Sequence, residues 1–124
     1  MARFFWVCLA GAMGTGARYL VGIFAARTFG AGFPWGTLIV NLVGCFFMSI
    51  VAYAGAKAVL SPDLRVILAT GFLGGLTTYS AFNWDTILLA QNGPGLGLVN
   101  LAVTLFGCLA SGALGLALAH AMVG

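Results

Sequence analysis

Side chains that could carry chemistry are few in this chain, and most of them stand inside long apolar runs. The acids are Asp63 and Asp85, there is no glutamate, and the one histidine is His120. They supply no acid pair for general acid–base work, no nucleophile with a partner base and no phosphate-binding loop. Cys8, Cys45 and Cys108 are far apart and follow no metal-ligand spacing, so they read as small buried thiols. What remains is the chemistry of binding. Asn41 offers two donors and one acceptor oxygen, with Thr37 four residues earlier on the same helical face. It serves either as interhelical glue or as a ligand for something passing through. Arg18 stands deep in an apolar run, where it either snorkels to an interface or attracts anions into a wet vestibule. Asn100, Thr104, Cys108 and Ser111 or Gly112 share one helical face, a weakly polar stripe that lines an ion path or packs on a neighbour.

One segment is unlike the rest. Gly71-Phe72-Leu73-Gly74-Gly75-Leu76-Thr77-Thr78-Tyr79-Ser80 puts Gly-Gly and Thr-Thr in the middle of an apolar stretch, and both pairs are poor in helix interiors. A helix broken there would free backbone carbonyls and amides. In lipid that is tolerated only where protein or a water-filled cavity covers them, and it is a device for binding ions. The alternative is an unbroken helix with a tight glycine contact. Tyr79 and Phe82 follow directly, three residues apart and so on one side of the helix.

The elements that must position these residues follow from hydropathy. The chain has 124 residues, of which 62% are hydrophobic and only 6% charged, with a mean hydropathy of +1.12. An ordinary soluble protein carries about 25% charged residues. A soluble domain this small could not cover its surface with five basic and two acidic side chains. The chain therefore reads as an integral membrane protein forming a single transmembrane domain over 1–124. The apolar N-terminal run continues past Leu20 with no polar domain after it, so it reads as a retained span rather than a signal peptide. A span needs about 20 apolar residues, which predicts four helices near 4–26, 34–56, 64–90 with a break near 74–78, and 96–120. Pro34 opens the second helix, Ser61 or Asp63 caps the third, and 91–95 is the clearest loop. The net charge of +3 comes from scattered cations, which form no nucleic-acid footprint.

Small residues repeat at fourth positions, at Gly107, Ser111 and Gly115 and nearly so at Gly36, Val40 and Gly44, a spacing that lets helices approach closely in lipid. Gly11, Gly14 and Gly16 lack the strand and the spacing of a dinucleotide loop and read as packing. With the N-terminus inside, Arg3, Lys57 and Arg65 would lie inside and Arg27 outside, with Arg18 leaning outward. That bias is nearly even, which fits either insertion in both orientations or simply too few charges to decide.

At these residues the chain resembles the Fluc family of fluoride channels, also called CrcB-type fluoride exporters. The resemblance runs nearly end to end, through Gly11-Ala12-Met13-Gly14-Thr15-Gly16-Ala17-Arg18-Tyr19, then residues 35–44 around Asn41, and most specifically residues 70–82 from Thr70 to Phe82. It implies an all-α membrane protein with four helices per subunit and the third broken at mid-membrane. It also implies a dual-topology antiparallel homodimer with two pores, in the lipid bilayer of the bacterial inner membrane. Fluoride would be the permeant ion and no reaction would be catalysed. The resemblance places Asn41, Tyr79, Phe82, Ser80, Thr78 and Thr104 along the pore and Arg18 in a vestibule. It further implies a structural sodium ion (Na+) between subunits, held by the backbone carbonyls of Gly74 and Thr77. The chain departs from the family pattern at Tyr79 for Phe, Ala81 for Thr, Asn83 for Ser, Asp85 for Glu, and Asn100 and Cys108 for Tyr and Ser.

The residues suit that ion. Fluoride is small and tightly hydrated, so amide and hydroxyl donors must replace its water, and positive ring edges can face it. A fixed cation in the narrow part would trap it. A negative-inside potential expels an anion by about 2.3 kcal/mol per 100 mV without another energy source. The rival is a small four-helix proton-coupled multidrug transporter. It needs a buried carboxylate, typically in the first helix, where this chain has only Arg18 among apolar and small residues.

Overall fold

The computed structural model describes residues 1–124 and contains helices without any strand. Helix α1 spans Ala2–Phe29 and α2 spans Trp35–Ala56. The third pass is composite: α3 (Pro62–Val66), a π-helical stretch Ile67–Leu73, α4 (Gly74–Leu76) and, after Thr77 and Thr78, α5 (Tyr79–Asn92). Helix α6 spans Pro94–Val123.

Local chemistry sets the ends. Gly30 stops α1 at φ 83°, a left-handed conformation that costs glycine little, and its N–H closes on the Ala26 carbonyl. Pro34 precedes α2. Of the two candidate caps before α3 it is Ser61 that acts, its hydroxyl accepting from the Leu64 N–H at 3.2 Å, with Pro62 in the first turn. The loop expected over 91–95 is shorter than its composition suggests. Gly93 alone separates α5 from α6, because Pro94 starts a helix as readily as it ends a loop.

Only 18 of 124 residues are buried, while Phe4, Phe24, Leu98, Phe106, Leu109 and Leu114 are each more than 60% exposed. Such a surface belongs in lipid. Helices α1, α2 and α6 are each long and apolar enough to cross a bilayer, and the composite third pass accompanies them. The chain is a multi-pass helical membrane protein.

Glycine brings the helices together. A methyl group on Gly14 would collide with the Phe72 carbonyl, one on Gly75 with the Gly11 carbonyl, and one on Gly71 would lie 2.9 Å from both Ala10 Cβ and the Val7 carbonyl. So α1 and the third pass run parallel, backbone against backbone. On α6, Gly115 abuts the Phe46 carbonyl, and Ser111 donates to the Leu42 carbonyl at 2.7 Å, which seats α6 along α2 in the same direction. Gly16 has nothing within 4 Å and takes no part. Val40, Leu73 and Leu76 form the small dry core where α2 meets the third pass.

Candidate functional site

The site is built around the two non-helical residues of the third pass. Thr77 (φ −84°, ψ 156°) and Thr78 (φ −155°, ψ 115°) are extended. Each unwound peptide group needs a partner away from water, and Asn41 supplies two. Its Nδ2 donates to the Thr78 carbonyl at 3.2 Å, and its Oδ1 accepts from the Thr78 N–H at 2.9 Å. This reciprocal pair does for Thr78 what a helical neighbour would have done. One Asn41 N–H is left over. The Thr78 hydroxyl then accepts from the Ala81 N–H at 3.2 Å, capping α5, and lies 3.3 Å from the Ser80 hydroxyl. Upstream, both the N–H and the hydroxyl of Thr77 donate to the Leu73 carbonyl, at 3.0 and 2.9 Å. Gly44 makes the approach possible, because a methyl group there would run into the Thr77 side-chain methyl.

The same hydrogen bonds leave carbonyls free. The Thr78 N–H would have closed a helical bond onto Gly74, but it is spent on Asn41. No turn, cap or loop N–H donates to the carbonyls of Gly74 or Thr77. Gly74 is exposed and Thr77 half-buried. Backbone oxygens of this kind suit a hard monovalent cation, as unwound helix segments do elsewhere.

Downstream, a chain of donors runs from α6 to α5. The Thr104 hydroxyl lies 3.5 Å from Asn100 Oδ1, Asn100 Nδ2 donates to the Thr86 hydroxyl at 2.8 Å, and Thr86 donates to the Phe82 carbonyl at 2.7 Å. Asn100 is 1% exposed, so its amide is committed. Thr104 is buried as well. Phe82 and Tyr79 meet edge to face, with ring centroids 5.7 Å apart, a favourable quadrupole geometry. Their surroundings differ sharply: Phe82 is 8% exposed and Tyr79 78%. Asn41, Thr78, Tyr79, Phe82 and Thr104 all border one groove of about 760 Å³ between α2, α5 and α6. Ser80 touches it only through Thr78.

A second hollow of about 390 Å³ lies at the end of the bundle where α2 begins, bordered by Trp35, Thr37, Asp85 and Asn92. There Thr37 donates to Asp85 Oδ2 at 2.9 Å. Arg18 is half-buried on α1, has no ion-pair partner and lines neither hollow. The one ion pair, Arg3 to Asp63 at 3.2 Å, is exposed and far from both. No cluster of three His, Cys, Asp or Glu side chains forms.

Two participants escape sequence reasoning. Thr86 links Asn100 to the Phe82 turn, and the available signal was its place four residues after Phe82, from where a threonine bonds back to the preceding carbonyl. Asp85 accepts from Thr37, a pairing that joins residues 48 positions apart.

Comparison with known proteins gives a single answer. The family profile described as "CrcB-like protein, Camphor Resistance (CrcB)" matches residues 5–116. A fluoride-specific ion channel FluC of Sorangium cellulosum is 45% identical over 99% of this chain and 98% of its own length. Another of that name from Anaeromyxobacter dehalogenans is 46% identical over 90% of each chain. A third, from Rhizobium etli, is 50% identical over 75% of each chain.

Proposed function

The chain belongs to the CrcB-like family, and on that premise we propose that it is a channel, not an enzyme, that lets fluoride leave the cell passively. The observation that carries this reading is near-full-length identity of 45% to a protein named a fluoride-specific ion channel. The geometry supports it. An interruption pinned by an amide, flanked by hydroxyls and followed by an edge-to-face aromatic pair assembles neutral donors and positive ring edges along one groove. Those groups replace fluoride's hydration without a trapping charge.

Fluoride passes along the groove, met by the remaining Asn41 N–H, the hydroxyls of Thr78, Ser80 and Thr104, and the edges of Phe82 and Tyr79. Arg18 concentrates anions toward the entrance. The functional unit is an antiparallel homodimer of two oppositely inserted copies in the bacterial inner membrane, with the Thr77–Thr78 interruption at mid-bilayer. The second copy covers the groove and the exposed Tyr79. Sodium sits between the copies on the carbonyls of Gly74 and Thr77, where it neutralises the freed oxygens and holds the subunits together without being transported.

The test is anion efflux from proteoliposomes loaded with fluoride or chloride. Fluoride should leave rapidly upon addition of a potassium ionophore while chloride stays. Equal efflux of both, or of neither, overturns the reading.

A further inference from the structure

The chain has three cysteines, and the fluoride reading uses none of them. Cys8 is exposed on α1, whereas Cys45 on α2 and Cys108 on α6 are half-buried. In the register of the α2–α6 seam Gly107 meets Leu42 and Gly112 meets Ser49 and the Cys45 carbonyl, which puts Cys108 on the α6 face turned to Cys45. Both cysteines border the same groove, together with Met48, one turn after Cys45. The seam cannot open easily. One turn beyond Cys108, a methyl group on Gly112 would lie 3.7 Å from the Cys45 carbonyl, and further on Gly115 abuts the Phe46 carbonyl. Two thiol residues and a thioether residue thus border one groove, on helices whose backbones are in close contact.

We propose that Cys45 and Cys108 form a two-coordinate site for a soft, thiophilic divalent cation of the mercuric type, with Met48 as a weaker third donor. Sulfur ligands select soft ions over sodium, magnesium or calcium. Charge decides among the soft ions. Two thiols bind mercuric ion by forming two S–Hg bonds and releasing two protons to water, with no change of oxidation state. The product is neutral, whereas a monovalent soft cation between two thiolates would leave a net negative charge in apolar surroundings, which is costly. Two donors from two rigid helices form a chelate that a free monothiol has to displace twice.

The readout is bound metal, so its failure and failure of the fluoride reading are separable. Reduced protein in detergent receives one equivalent of mercuric chloride, is dialysed against excess glutathione, and is assayed for mercury by mass spectrometry. Wild type and Cys8→Ser should retain about one mercury per subunit, and Cys45→Ser and Cys108→Ser should each retain at least about tenfold less, since one thiol cannot chelate. Binding to wild type should release about two protons per mercury. Met48→Leu should keep the metal but lose it about threefold faster. Wild type surrendering mercury as readily as the two single-cysteine variants overturns the site, as does loss of retention in Cys8→Ser. An unchanged rate in Met48→Leu removes the thioether from it.

Discussion

The third pass is held on its two sides by opposite means. Toward α1 the contact is made by what is missing: Gly11, Gly14, Gly71 and Gly75 let two backbones touch, and the one side-chain hydrogen bond between them, Arg3 to Asp63, is exposed and far from the interruption. Toward α2 and α6, beside the close approaches at Gly44 and Gly97 and the apolar contact of Val40, polar side chains reach across, Asn41 to Thr78 and Asn100 to Thr86. The first side is a wall of close backbone contacts. The second satisfies an unwound backbone selectively, tying down Thr78 while leaving the carbonyls of Gly74 and Thr77 free. A glycine seam alone would give a tight but inert bundle. Polar glue alone would not place the interruption, because each interhelical hydrogen bond in a membrane contributes only about 0.6 kcal/mol on average. The wall fixes position, and the polar side then decides which backbone groups face the groove.

The contrast can be broken from either side. The largest effect belongs to the seam. Gly14→Leu or Gly75→Leu drives a side chain into a backbone carbonyl that cannot yield, and overpacking of this kind costs about 3 kcal/mol or more. Neither variant should give a monodisperse peak in size-exclusion chromatography. Next comes the pin. Asn41→Ala leaves a buried N–H and C=O of Thr78 without partners, at about 1–3 kcal/mol each. Because the seam still holds the pass, the protein should assemble yet lose fluoride efflux by at least about tenfold. Loss of assembly instead would mean that the polar side, not the seam, sets position. Asn100→Leu cuts the relay from Thr104 to Thr86 and should lower the unfolding midpoint by a few degrees, for a loss of about 1 kcal/mol. Arg3→Ala removes an ion pair exposed on both sides and should change neither assembly nor efflux.

Composition made the membrane class legible, and spacing made the glycine contacts legible. Gly107, Ser111 and Gly115 do face α2, at Leu42 and Phe46. The Gly-Gly and Thr-Thr pairs stand out because their propensities conflict with the hydropathy around them; in the structure Gly74 and Gly75 stay helical, and only Thr77 and Thr78 are extended. Partners were harder to read. Asn41 was equally suited to glue and to ion binding, and the structure gives its oxygen and one N–H to Thr78, residues 37 positions apart. The π-helical stretch Ile67–Leu73 has no signal in side-chain periodicity, since its bonding pattern differs from an α-helix by one residue. Tyr79 and Phe82 share a helix side by spacing, but only packing makes one buried and the other exposed.

That difference in exposure bears on the central claim, that fluoride is met by ring edges beside the pinned interruption. Fluoride efflux from liposomes should be compared for wild type, Tyr79→Phe and Phe82→Ile, with assembly checked in each. Tyr79→Phe keeps the ring and should conduct at a rate within about twofold of wild type. Phe82→Ile keeps an apolar bulk but removes the positive ring edge, and should lose most of the flux. Full flux in Phe82→Ile would contradict the account and leave that ring a packing residue, and loss of flux in Tyr79→Phe would assign the ion to the hydroxyl instead of the ring.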